Sequence, residues 1–224
     1  MSNVRPYQVI YKELDVQELA AFVGIIAALS VGVVSPGPSF VMVARVAVAS
    51  SRSQALGAAL GMGAGGVLFG AAALLGLQSI FHAVPAVYVG LKVLGGLYLC
   101  YLGFLIFTSA KRPLPVPGNA NHAGTANKSF WLGFTTQVSN PKTAIVYASV
   151  FAAFLPPHFS WVFAGSLLVI VFLVEAGWYA LVALLLSSSR PQRAYLSYKA
   201  WIDRTAGVVM FALGMKLVTS ATKP

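Results

Sequence analysis

Between Arg52 and Lys92 the chain reads SQALGAALGMGAGGVLFGAAALLGLQSIFHAVPAVYVGL, residues 53–91, which is 39 positions without a charged side chain. A helix that crosses a hydrocarbon layer about 30 Å thick needs roughly 20 apolar residues. This stretch is long enough for one span, a turn and the start of another. Uncharged runs of 26 residues, from Glu18 to Arg45, and 32 residues, from Lys142 to Glu175, repeat the pattern. A transmembrane β-barrel would instead alternate apolar and polar residues in segments of about ten. These runs are apolar all round, so the fold class is an all-α integral membrane protein.

The composition leads to the same class. Of 224 residues, 58% are hydrophobic and 9% charged, with a mean hydropathy of +0.80. A soluble domain carries roughly 25% charged residues, so this chain cannot cover a water-facing surface. The first apolar run is too long for a signal-peptide core, and its flank is acidic (Glu13, Asp15, Glu18). The single cysteine, Cys100, excludes an intramolecular disulfide or a cysteine metal cluster. His82, His122 and His158 fall in different loops without metal-ligand spacing. No nucleotide fingerprint or nucleophile–base arrangement is present. The chain is therefore read as a non-enzyme with no cofactor and no metal. The net charge of +10 sits in the connections between spans, as membrane topology requires, and does not point to nucleic acid. The expected partners are membrane lipid and a small molecule.

Six spans are expected, at about 19–43, 55–77, 87–108, 129–154, 161–186 and 204–221. Residues 1–18 form a polar leader and 111–128 a linker loop. Basic residues mark alternate connections: Arg45 and Arg52 in the first, Lys111, Arg112 and Lys128 in the third, Arg190, Arg193, Lys199 and Arg204 in the fifth. The second (Gln78–Ala86) and fourth (Pro156–Ser160) have none. The positive-inside rule then puts the odd connections in the cytoplasm. Whether the first span crosses fully or dips and returns stays open at this level.

The two halves resemble each other. Gly96 to Ala110 aligns without gaps to Gly207 to Ala221, with glycines at Gly96/Gly103 and Gly207/Gly214 and Thr-Ser-Ala at the same offset. Val34-Ser35-Pro36 echoes Val138-Ser139-Asn140-Pro141. Two three-span halves, 19–110 and 129–224, would insert in opposite directions, the inverted-repeat design of many secondary transporters.

Three features inside the spans can carry chemistry. Ser35-Pro36-Gly37-Pro38 breaks the first span, because two prolines remove two backbone donors. Bare backbone in lipid survives only against protein or a water-filled cavity. The half-helix that follows offers free N–H groups and a positive dipole end, suited to a carboxylate. A structural kink is the other reading. Ser139-Asn140-Pro141-Lys142 places a breaker, an amide and a cation near the middle of the fourth span. A charge there costs at least about 2.5–3.5 kcal/mol, so it faces a cavity or a partner unless it snorkels. Glu175 is the only acid inside the apolar spans, and burial makes it a plausible proton carrier. Lys142 and Glu175 fall at similar depth, so a purely structural ion pair between them is the alternative. Gly57, Gly61 and Gly65, spaced by four, read as a helix-packing face.

Together, Pro36-Gly37-Pro38, Ala59-Leu60-Gly61 through Gly65, Leu91-Lys92 through Gly103 and Asn140-Pro141-Lys142 resemble the LysE/RhtB family of amino-acid exporters, from about Glu18 to the C-terminus. The resemblance implies a proton-driven exporter of amino acids or close derivatives in the bacterial inner membrane. It also implies an acid in the fifth span, the place that Glu175 fills. The substrate site is expected at Ser35, Pro36, Gly37, Pro38, Asn140, Pro141 and Lys142, with Glu175 coupling the proton. A homodimer is compatible with so small a transporter. An ion or metal exporter or channel, and a non-transporting membrane scaffold subunit, are the alternatives from other classes.

Overall fold

The computed structural model describes residues 6–35, 37–83, 85–111, 125–187 and 189–221. Among them the chain forms eight helices: α1 (Pro6–Val34), α2 (Pro38–Ala49), α3 (Arg52–Ala83), α4 (Pro85–Ser109), α5 (Ala126–Val138), α6 (Pro141–Phe154), α7 (Trp161–Leu186) and α8 (Ser189–Ala221). No strand occurs among the described residues. Within α1, α3 and α7 the stretches Val16–Val34, Arg52–Gly76 and Trp161–Leu186 are long and apolar enough to cross a membrane. Pro38–Val48, Val93–Ser109 and Pro141–Phe154 are shorter apolar helices. The first and fourth apolar runs are each cut in two, so neither half of the fourth is long enough by itself.

The cuts follow from local chemistry. Pro38 and Pro141 are each the first residue of a new helix, where a missing N–H costs least. Gly37 precedes Pro38 in an extended conformation and offers no side-chain cap. Asn140 precedes Pro141, and its Oδ1 accepts from the Lys142 backbone N–H at 3.0 Å. Thr125 and Ser160 cap α5 and α7 in the same way.

The path of the first apolar run, left open by the sequence, is now fixed. Phe22 of α1 packs edge-on against Phe163 near the start of α7, with ring centroids 6.1 Å apart. At the other end Ser187, just after α7, donates to the Ala47 carbonyl of α2 at 3.3 Å. The α1–α2 segment thus runs alongside the whole of α7 and does not turn back. Glu18 accepts from the Ser160 backbone N–H and hydroxyl, at 2.5 and 3.0 Å, so this part of α1 lies at the same end as the start of α7.

Three segments that the sequence sets outside the spans are largely helical, the second connection among them, since α3 runs to Ala83 and α4 starts at Pro85. The leader belongs to α1 from Pro6 onward. The fifth connection also belongs to a helix, because α8 begins at Ser189 and carries Arg190, Arg193, Lys199 and Arg204 directly into the last apolar stretch. A buried pair one turn apart, Lys199 to Asp203 at 2.5 Å, helps hold that turn. The lysine also donates to the Ala110 carbonyl beyond the end of α4, at 3.3 Å. Most of the expected linker loop lies outside the described residues.

Glycine faces bring the helices close. The Gly57, Gly61 and Gly65 stripe of α3 lies on α5: a Cβ at these positions would strike the Ala126 carbonyl, the Phe130 carbonyl and the Gln137 side chain respectively. The α4 and α8 helices cross as an antiparallel pair. Gly103 faces Gly207, and Gly96 faces Gly214, each close enough that a Cβ on one would meet the other's carbonyl oxygen. Interhelical packing of this kind replaces the hydrophobic drive that lipid does not supply.

Candidate functional site

The two breaks face each other. A cavity of about 20 Å³ lies between them, lined by residues of α1, α2, α5, α6 and α7. It has room for about one water, so the lining groups leave little free space between them.

Lys142 sits at the second position of α6 and reaches across to the broken end of α1. Its Nζ donates to the Ser35 carbonyl at 2.7 Å and to the Gly32 carbonyl at 3.3 Å. The end of a helix leaves carbonyls without donors and carries the negative end of the dipole. An ammonium is therefore a fitting cap. The aliphatic stem of Lys142 passes over Gly37, where a Cβ would lie 3.2 Å from its Cδ. Gly37 thus supplies clearance at this point, since its φ of −158° is ordinary extended backbone.

Glu175 of α7 is buried, and both of its oxygens are held. Tyr147 Oη donates to Oε1 at 2.9 Å. Gln137 Nε2 donates to Oε2 at 3.0 Å. The bonds continue outward: Ser39 Oγ donates to Gln137 Oε1 at 2.7 Å, and Asn140 Nδ2 donates to Ser39 Oγ at 2.8 Å. An unbroken chain therefore runs from the α6 cap through the first turn of α2 and the last turn of α5 to the acid. Gly66 of α3 makes the arrangement possible, because a Cβ there would lie 2.8 Å from Tyr147 Oη and 2.9 Å from Glu175 Cγ. Buried polar groups satisfied in such a chain hold one geometry, whereas an unpaired one would be costly.

Of the residues expected at the site, Ser35, Gly37, Asn140, Lys142 and Glu175 line one cavity. Pro38 and Pro141 start the half-helices beside it. Pro36 lies outside the described residues. Lys142 and Glu175 are not a contact pair, in contrast to the structural alternative raised above. Each is bonded to other groups, and their charges interact only through space. One cavity-lining group has no partner among the described residues: the hydroxyl of buried Ser35.

The sequence reading missed Gln137, Tyr147, Tyr179 and Ser39 as cavity residues. Gln137 had a signal: it follows Thr135-Thr136 in an apolar helix, and a polar side chain inside a membrane span needs a partner. The tyrosines had none, since an aromatic within a span is commonly packing. Asp203 was also missed. It is buried beside Lys199, one residue ahead of the expected last span, with Oδ1 unpartnered among the described residues.

Comparison with known proteins places these features in context. Residues 30–221 match the LysE type translocator family. A threonine efflux protein of Salmonella typhi is 31% identical over 192 residues, covering 85% of this chain and 93% of that protein. The threonine efflux protein of Escherichia coli K12 is 30% identical over the same length, with the same coverage. An uncharacterized membrane protein of Haemophilus influenzae is 32% identical over 191 residues, 84% of this chain and 90% of that protein. No solved structure matches. With the family match spanning both helix breaks, Glu175 and the α4–α8 glycine pairs, the chain belongs to the LysE type translocators.

Proposed function

We propose that this protein is a secondary exporter of amino acids, moving them out across the bacterial inner membrane in exchange for protons. The observation that carries the reading is the small cavity between two helix breaks, with one cation and one carboxylate among its lining groups. Relatives named for threonine efflux support the amino-acid part. The substrate carboxylate would take the uncapped start of α2, the free Ser35 hydroxyl and Lys142, drawing that lysine off the α1 carbonyls. Glu175 would hold either the substrate ammonium or a proton. Competition between the two for one buried carboxylate is what antiport requires. The cavity is far smaller than any amino acid, so loading requires the α1–α6 seam to part.

The test is uptake of radiolabelled threonine into everted membrane vesicles, with and without an imposed pH gradient. Accumulation that appears only with the gradient, acid inside, is the expected result. Threonine uptake indifferent to both the protein and the gradient would remove the reading.

Six spans in two inverted halves are part of the proposal. The sequence alignment carries Gly96 onto Gly207 and Gly103 onto Gly214, so it carries the Gly96–Gly214 contact onto the Gly207–Gly103 contact. A two-fold operation that exchanges antiparallel helices runs perpendicular to them, which supports an axis in the membrane plane. A reporter fused after Lys111 is expected to read cytoplasmic and one after Pro224 periplasmic. Both reading on the same side would break the six-span arrangement.

A further inference from the structure

Among the side chains lining the cavity, Lys142 and Glu175 are the charged ones. Among the described residues the other charges near this end of the bundle stay outside the lining, and Asp203 reaches Lys142 only through space. Lys199 and Asp203 pair with each other, and Arg45 on α2 is exposed. A zwitterionic amino acid uses both cavity charges with its own carboxylate and ammonium. A further charge on its side chain would be taken out of water with nothing to pair with, at a cost of several kcal/mol.

The rest of the lining describes where an uncharged side chain can go. Leu29 and Val33 of α1 and Val146 of α6 form an apolar wall, and Thr143 adds a hydroxyl. The wall is also tight. A Cβ on Gly32 would lie 3.1 Å from Val146 Cγ1, closer than most such contacts, so α1 and α6 approach each other through a glycine there. Each added methylene on a substrate widens the gap that must open along this seam.

We propose that the site selects amino acids with a short, uncharged side chain, apolar or hydroxylated, and that Gly32 and Val146 at the α1–α6 seam set the upper size limit. The proposal rests on the exporter reading above and adds the substrate class. Basic and acidic amino acids are refused by the charge count, and bulky ones by the seam.

Uptake of radiolabelled threonine, valine, leucine, lysine and glutamate into everted vesicles, each measured separately under the same gradient, tests it. Threonine and valine are expected to accumulate, and lysine and glutamate to do so at least about 100-fold more slowly, the scale of one unpaired desolvated charge. Val146→Ala removes two methyl groups from the wall and is expected to raise the leucine-to-threonine ratio about tenfold, while Gly32→Ala fills the seam and lowers it. The ratio is taken within one vesicle preparation, so it is readable even where a variant inserts poorly. Lysine or glutamate carried as fast as threonine overturns the proposal, as does a ratio that fails to move in opposite directions in the two variants. Those outcomes leave the exporter reading intact. Uptake of none of the five amino acids removes the exporter reading, and the substrate class with it.

Discussion

Glu175→Gln is expected to reach the membrane and to lose at least about 100-fold in accumulation driven by a pH gradient, with threonine exchange also weakened because the substrate ammonium loses its carboxylate. The reason lies in what each partner sees. The glutamine can keep an acceptor toward Tyr147, whose hydroxyl donates to Glu175 Oε1. Its amide nitrogen would then face Gln137 Nε2, which donates to Oε2 in the wild type. Two donors cannot face each other, so the Gln137 amide must turn and disturb its bond from Ser39. That costs about 1–2 kcal/mol, the range of one lost buried hydrogen bond, and lowers abundance without abolishing it. What the variant cannot do is bind and release a proton.

Lys142→Met sharpens the test. It strips the α1 carbonyls of Gly32 and Ser35 of their donor. Because Lys142 and Glu175 bond to different groups, the double variant is expected to be at least as impaired as either single one. Recovery of transport in the double variant would show that the two charges serve only each other. Full gradient-driven accumulation in Glu175→Gln would take the acid out of the coupling mechanism.

Gly61→Ala is expected to reduce folded, membrane-inserted protein more than any other single methyl added to a glycine face. The new Cβ would land on the Phe130 carbonyl oxygen, with the Phe134 backbone nitrogen 2.8 Å away. Both are backbone atoms of α5, so no side chain can swing aside, and α3 and α5 must separate. Overpacking of a tight core commonly costs about 1–3 kcal/mol and more where the backbone has to move. Three kcal/mol is about two decades in the folding equilibrium. The damage also reaches the site, because α5 carries Gln137. Gly165→Ala is the control: nothing lies within 4 Å of a Cβ there. Size-exclusion profiles of fluorescently tagged variants in mild detergent give the comparison. Equal profiles for the two would show that the α3–α5 contact is looser than its geometry implies.

Much of this protein was legible as a string. Long uncharged runs read as helices long enough to span, because a backbone in lipid must satisfy its own hydrogen bonds. Pro38 and Pro141 fixed where the helices restart, since proline fits the first turn of a helix and breaks its interior. Lys142 and Glu175 stood out because a charge within an apolar run needs a reason. These conclusions depend on the residue and its immediate neighbours along the chain.

Other features depend on atoms far apart in sequence. That the first apolar run continues alongside α7, and does not fold back, is decided by Phe22 on Phe163 and Ala47 near Ser187. That Lys142 caps α1, and leaves Glu175 to Tyr147 and Gln137, is decided by how the two breaks meet. The fifth connection is helix, and Lys199 and Asp203 are buried as a pair within it, which a count of exposed basic residues does not foresee. Periodicity and proline act over a few residues and are written in order along the chain. The choice of hydrogen-bond partner for a buried polar group is made among whatever the other helices bring within 3 Å, and only the packed bundle settles that.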